Sequence, residues 1–216
     1  MPRVAAIYTV PSVLATFPDL IRATIPGAEV SNTLDDFLTT DPIARGEFTR
    51  NNLNRLHAFF RCAEMAGADV IVVTCSTLTP PTEILRPLVS TPIITIDGPM
   101  LKQAVALGSS ITLMATSPST VEPAQIGLTR EAERQGKKIS VKVMVNEKAF
   151  NAIRNLDKEQ HDRLVLEQAA GVKGSDVIVL AQASMAHLEE EVQKATGITT
   201  LSSPKLCMEE LKKVLG

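Results

Sequence analysis

Seven short, mainly apolar runs recur along the chain: Val4–Tyr8, Val70–Thr74, Ile93–Ile96, Ile111–Ala115, Lys142–Val145, Val177–Leu180 and Ile198–Leu201. Runs this short, bounded by turn-forming residues and rich in β-branched side chains, read as buried strands. Between them the apolar positions recur with helical spacing. The predicted helices cover Val13–Ala23, Arg50–Ala66, Thr82–Leu88, Pro99–Ala106, Glu122–Gln135, Lys158–Val172, His187–Ala195 and Lys205–Leu215. Val30–Asp36 mixes strand and turn signals. Strand, helix, strand in this order predicts parallel sheets with helical crossovers, an α/β fold.

The pattern also repeats. Thr9-Val10-Pro11-Ser12 follows the first strand, and Thr116-Ser117-Pro118-Ser119 follows the fourth, 107 residues later. Gly67-Ala68-Asp69-Val70-Ile71-Val72 has its partner in Gly174-Ser175-Asp176-Val177-Ile178-Val179 at the same offset. Two separate matches at one spacing indicate a duplicated half. Two pseudo-symmetric lobes are therefore expected, each a parallel sheet flanked by helices. Residues 1–97 plus 202–216 would form one and residues 98–201 the other, joined near Asp97–Pro99.

Parallel sheets bind ligands at the carboxyl ends of their strands. The repeated loops Thr9–Ser12, Thr74–Thr79, Thr116–Thr120 and Ala181–Met185 all follow strands. Two facing lobes would gather them around one cleft, rich in hydroxyls and in backbone N–H groups suited to a carboxylate. At the 107-residue offset Cys75 matches Gln182. A thiol at a strand end before a helix start is placed to ionise and to act as nucleophile or base. Cys62, among Phe59, Phe60 and Met65, and Cys207, beside Leu206 and Met208, read as core residues. His57 and His161 read as surface or packing residues, and His187 as a helix-start residue.

Composition narrows the chemistry. With 216 residues, 44% hydrophobic, the chain can bury a core in each lobe. A formal net charge of −2, one Tyr, no Trp and no Lys/Arg cluster give no footprint for nucleic acid. No apolar run approaches a membrane span, and the opening residues lack a signal peptide's cleavage region, so a cytoplasmic location is the default. Three widely spaced cysteines make no disulfide framework. Neither zinc-ligand spacing nor a glycine-rich phosphate loop is present, so no metal and no cofactor are expected.

Taken together, Thr74-Cys75-Ser76-Thr77 after Asp69-Val70-Ile71-Val72-Val73, and Ala115-Thr116-Ser117-Pro118-Ser119-Thr120-Val121-Glu122-Pro123, resemble the aspartate/glutamate/hydantoin racemase superfamily. Asn32-Thr33-Leu34-Asp35-Asp36 resembles a stretch of its uncharacterised members. The resemblance implies an active site between two lobes, no cofactor, and a small carboxylate as substrate, with a homo-oligomer compatible with it. Family racemases place one cysteine from each lobe on opposite faces of the α-carbon. Carboxylate binding would map onto Thr9, Ser76, Thr77, Thr116 and Thr120, with Ser12, Ala183 and Ser184 in the same loops. Cys75 is the expected acid/base. Gln182 stands where the second cysteine would be, and a carboxamide hydrogen-bonds but does not exchange protons near neutrality. Gln182 is therefore expected to position or polarise a substrate oxygen. Asp36 and His187 are the alternatives for the second face. A one-thiol decarboxylase or lyase of a malonate-like acid, and a non-catalytic carboxylate binder, are the competing readings.

Overall fold

The computed structural model describes all 216 residues, Met1–Gly216. The chain divides into two compact units, Met1–Ile96 with Cys207–Gly216, and Asp97–Leu206. The first contains β1 (Arg3–Tyr8), α1 (Pro11–Leu14), α2 (Phe17–Thr24), β2 (Glu29–Leu34), α3 (Phe37–Arg45), α4 (Arg50–Met65), β3 (Val70–Val73), α5 (Thr79–Leu85) and β4 (Ile93–Thr95). The second contains α6 (Gly98–Leu107), β5 (Ser110–Ala115), α7 (Val121–Arg134), β6 (Ser140–Val145), α8 (Glu147–Arg154), α9 (Lys158–Ala169), β7 (Val177–Leu180), α10 (Glu189–Thr196) and β8 (Thr199–Ser202). The last helix, α11 (Ser203–Leu215), supplies Cys207, Met208 and Leu211 to a core of the first unit.

Each unit holds a four-stranded parallel sheet, in the orders β2-β1-β3-β4 and β6-β5-β7-β8. β3 and β7 lie inside their sheets, and all four residues of each are buried, which explains their unbroken apolar runs. β2 is an edge strand with every position exposed or half-exposed. It needs no apolar run, and for that reason its sequence is ambiguous. The apolar pattern also misses α3, where Leu38 alone is buried, and α8, whose buried positions are Ala149 and Ala152. The expected helix over Val13–Ala23 is two helices. Phe17-Pro18 opens the second, because proline suits the first turn of a helix, where its missing N–H is not needed.

The duplication extends to individual hydrogen bonds. Arg3 N–H donates to Asp69 Oδ2 at 2.8 Å, and Ser110 N–H donates to Asp176 Oδ2 at 2.8 Å. The return bonds are Asp69 N–H to Arg3 O at 2.9 Å and Asp176 N–H to Ser110 O at 2.7 Å. Gly67 and Gly174, which precede these aspartates, have φ of 73° and 72°. Only glycine enters that left-handed region at little cost, which accounts for its recurrence at the matched place. Register agrees as well, with Ile7 opposite Val73 and Met114 opposite Leu180.

Asp176 also accepts from Ser109 N–H at 2.8 Å, and the Ser110 and Ser109 bonds hold its carboxyl below the ordinary range. Gly108 lets the chain pass this carboxylate closely, since a Cβ there would lie 2.2 Å from Asp176 Cβ. Gly108→Ala is expected to destabilise the protein by about 1–3 kcal/mol through overpacking. Urea unfolding of the variant checks this, and an unchanged midpoint contradicts it.

Candidate active site

In the first unit, Thr9 and Cys75 follow the adjacent parallel strands β1 and β3. Thr74 ties the two strand ends together, donating to Ile7 O from its N–H and its Oγ1, both at 3.0 Å. Cys75 has extended backbone and opens the 3-10 turn Ser76–Leu78, which leads directly into α5. Cys75 is partly exposed, and its sulfur lies 2.9 Å from Thr77 Oγ1. Thr9 is 3% exposed, and its Oγ1 is buried with no hydrogen-bond partner in the chain. Ser76 and Thr77 are half-exposed, whereas Ser12 is exposed on α1. Tyr8 points into the core beside Phe17, and burial pushes its phenol above the ordinary range, so it is no acid here.

In the second unit, Thr116 and Gln182 hold the matched places after β5 and β7. Gln182 Oε1 accepts from Thr116 N–H at 2.6 Å, Ser117 N–H at 3.0 Å and Thr116 Oγ1 at 3.0 Å. Backbone N–H groups only donate, so the atom they approach is the carbonyl oxygen and the amide orientation is settled. The sequence reading has Gln182 act on a substrate oxygen. Its Oε1 is committed to the protein, because two successive N–H groups and a buried hydroxyl present three donors to one acceptor, so only the Nε2 end could meet a substrate oxygen. Thr120 Oγ1 donates to Ser117 O at 2.9 Å and braces the loop. Ala183 is exposed, and Ser184 Oγ is buried without a partner.

The loop after Gln182 is anchored by a cluster of Asp162, His161, His187 and Lys158 that no local sequence pattern marks. Asp162 Oδ1 lies 2.7 Å from His161 Nδ1 and 2.9 Å from His187 Nε2, while Lys158 Nζ is 2.5 Å from Oδ2. His187 sits in the 3-10 turn Ala183–Leu188, so its bond to α9 fixes that turn. His161 is fully buried, a packing residue. The three ligand atoms lie within 4.8 Å of one another and are of metal-binding types. However, His161 Nε2 is buried with no acceptor, which assigns the ring proton to Nδ1, where it donates to Asp162. A metal at Nδ1 would drive that proton to a nitrogen with nowhere to donate, so the cluster fits a hydrogen-bonded anchor better.

Burial alone would raise the Asp162 carboxyl, but bonds from Lys158, His161 and His187 outweigh it and hold it at about 2. An unfolded Asp titrates near ~3.9. A depressed carboxyl stabilises the fold above its unfolded value and loses that contribution as pH falls toward the folded one. Acidification from pH about 4 to about 2 should therefore remove on the order of 1–2 kcal/mol, allowing for solvent screening. Asp162→Asn should flatten that part of the stability profile. Urea midpoints of both proteins across the window check it, and parallel slopes contradict it.

Two further sequence readings change. Cys62 is exposed, not core. The buried positions of α4 are Asn52, Leu56, Phe60 and Ala63, and Cys62, two residues after Phe60, falls on the opposite face. Cys207 is buried, as its neighbours suggest. Asp36 is exposed, while its neighbour Asp35 is buried at the end of β2 and pairs with Arg55 of α4. The pair ties the end of β2 to α4, with the two charges offsetting each other. No local pattern announces it, because the pairing spans separate elements. A surface pocket of about 290 Å³, lined by Arg3, Glu29, Val30, Ser31, Ala66 and Ala68, lies at the amino end of that sheet, away from Cys75.

The family described as Asp/Glu/Hydantoin racemase matches residues 19–211. No curated protein sequence matches the chain. Among solved structures, an allantoin racemase from Klebsiella pneumoniae superposes with a TM-score of 0.68 at 17% identity, covering 100% of this chain and 88% of that one. An aspartate racemase from Picrophilus torridus gives 0.69 at 14% identity, with coverages of 99% and 94%. An unliganded arylmalonate decarboxylase gives 0.62 at 15% identity, with coverages of 100% and 94%. At such identities these likenesses concern the fold.

Proposed function

Because the chain belongs to the Asp/Glu/hydantoin racemase family, we propose that it is a cofactor-independent, racemase-like isomerase. It acts at the carbon beside the carboxylate of a small acid, with Cys75 as the acid/base. The observation carrying this reading is the setting of Cys75, a partly exposed residue after β3 with its sulfur 2.9 Å from Thr77 Oγ1, while the adjacent strand β1 leads into Thr9, whose hydroxyl is buried and unpartnered. A thiolate at Cys75 takes the α-proton, and the electron pair of the broken C–H bond moves into the carboxylate. Charge then grows on the carboxylate oxygens, where fixed N–H and O–H donors stabilise it most. The Thr77 hydroxyl donates to the thiolate before the transfer and releases it afterwards. The proton returns from Cys75 to the same face, or more slowly from water to the other.

One observation favours a second reading. The matched loops hold one thiol and one carboxamide, a set that suits a decarboxylase of a malonate-like acid. There the bond to the leaving carboxylate breaks, its electrons form the enediolate, and the Cys75 S–H protonates that carbon on one face.

Incubation with small acids in D₂O separates the readings. The isomerase incorporates deuterium at the α-carbon, seen by NMR, ahead of inversion seen by chiral chromatography. The decarboxylase releases CO₂ and leaves a singly labelled product of one hand. A protein that binds acids and does neither is the non-catalytic binder.

A further inference from the structure

The backbone bonds of β2 show which way each of its residues faces. Glu29 N–H donates to Pro2 O and Asp35 N–H to Tyr8 O, both at 2.9 Å, and the register with β1 runs unbroken from Glu29 to Leu34. Successive residues of a strand turn their backbone groups to opposite sides. Glu29, Ser31 and Thr33 therefore face β1, and Val30, Asn32 and Leu34 turn their N–H and C=O groups away from the sheet, where no strand pairs with them. The other three edge strands are each protected. β4 is three residues long and follows Pro92, and Arg86 Nη1 donates to Ile93 O at 2.6 Å. Gln193 Oε1 accepts from Thr200 N–H of β8 at 3.1 Å. β6 carries the exposed Lys142. Short length, proline, lysine and a covering side chain are common means of stopping strand addition. β2 is six residues long and has none of these, and its one charge, Glu29, is held by Arg3 at 3.0 Å. Apolar surface continues past its end, with Leu34 42% and Phe37 47% exposed.

We infer that β2 is an interface for a second copy of this chain, the two β2 strands pairing antiparallel about a two-fold axis through Asn32. An axis there matches all three outward residues at once. Asn32 meets its own copy, and Val30 meets Leu34 of the partner subunit in both directions, each pair exchanging two backbone bonds. On the other face of the sheet Ser31 meets Thr33 of the partner subunit. Amide thus faces amide, apolar faces apolar and hydroxyl faces hydroxyl, so the strand is complementary to itself. Only the outermost pair, Glu29 with Asp35 of the partner subunit, brings two carboxylates together, and each already holds a guanidinium, from Arg3 and Arg55. Two four-stranded sheets become one continuous sheet. The pairing satisfies the outward groups of β2 and is independent of the reaction.

Sedimentation equilibrium of the wild type, Asn32→Lys and Asn32→Pro, with crosslinking of Asn32→Cys, tests this. At micromolar concentration the wild type should sediment at twice the chain mass. Asn32→Lys should weaken association by at least about tenfold, because two ammonium groups would meet at the axis. Asn32→Pro should weaken it as much by removing an N–H that only the partner uses, while circular dichroism stays that of the wild type. Asn32→Cys, in a Cys62→Ser background, should crosslink to its own copy under mild oxidation, which places the axis. Peptide mass mapping identifies the joined residues. A monomeric wild type overturns the inference. So does a dimer that Asn32→Lys leaves intact, which would put the interface elsewhere, or an Asn32→Cys protein that forms no crosslink at that residue.

Discussion

Cys75→Ser is expected to slow α-proton exchange by roughly 10²–10⁴-fold, the usual worth of a positioned general acid or base. A hydroxyl fills nearly the same space as the thiol and can still meet Thr77, so folding and carboxylate binding should persist while chemistry fails. Near neutrality a thiol is partly ionised, and a serine hydroxyl is not. Deuterium incorporation under single-turnover conditions reads the loss directly, and exchange within threefold of wild type would remove Cys75 from the mechanism. Alkylation gives an independent check, provided that the exposed Cys62 is first replaced by serine. In that background iodoacetamide should modify Cys75, spare the buried Cys207, and be slowed by a bound carboxylate. Peptide mass mapping identifies the labelled site.

The second large effect is expected at Gln182. Racemisation needs an acid or base on each face of the α-carbon, and a carboxamide supplies neither. Gln182→Cys should therefore raise the ratio of inversion to exchange, by up to about 10²–10⁴-fold if the new thiol reaches the far face. The substitution also frees Thr116 N–H, Thr116 Oγ1 and Ser117 N–H from the glutamine oxygen. Gln182→Ala frees the same donors without adding a thiol, so it isolates the chemical effect from the change in binding. Cys75→Ser should remove the gain in inversion when combined with Gln182→Cys, because only one face then carries a thiol. Chiral chromatography alongside deuterium incorporation distinguishes these outcomes. Rapid racemisation by the unmodified protein would mean that another group serves the second face. His187 is poorly placed for that role, since Asp162 holds its Nε2 at 2.9 Å. Asp36 is exposed at the end of β2 and carries no such restraint.

Much of the scaffold is legible in the sequence, because its signals are local. Interior strands such as β3 and β7 must be apolar on both faces, and helices such as α4 must present an apolar stripe. The duplication is legible for a related reason. Gly67 and Gly174 meet the same left-handed turn, and Asp69 and Asp176 the same pair of strands, so the residues recur at one spacing. The matching of Cys75 with Gln182 follows from that spacing alone.

Tertiary structure alone decided what each of them does. The Gln182 oxygen meets Thr116 N–H 66 residues away, a bond that exists only once β5 and β7 pair in register. The Asp162 anchor needs α9 packed beside the turn that carries His187, and the Asp35–Arg55 pair needs β2 beside α4. Even Cys62, flanked by apolar residues in sequence, points outward because the helix face is fixed by Leu56, Phe60 and Ala63. Periodicity is a property of neighbours along the chain, whereas a hydrogen bond or an exposed face depends on which distant segment lies beside it.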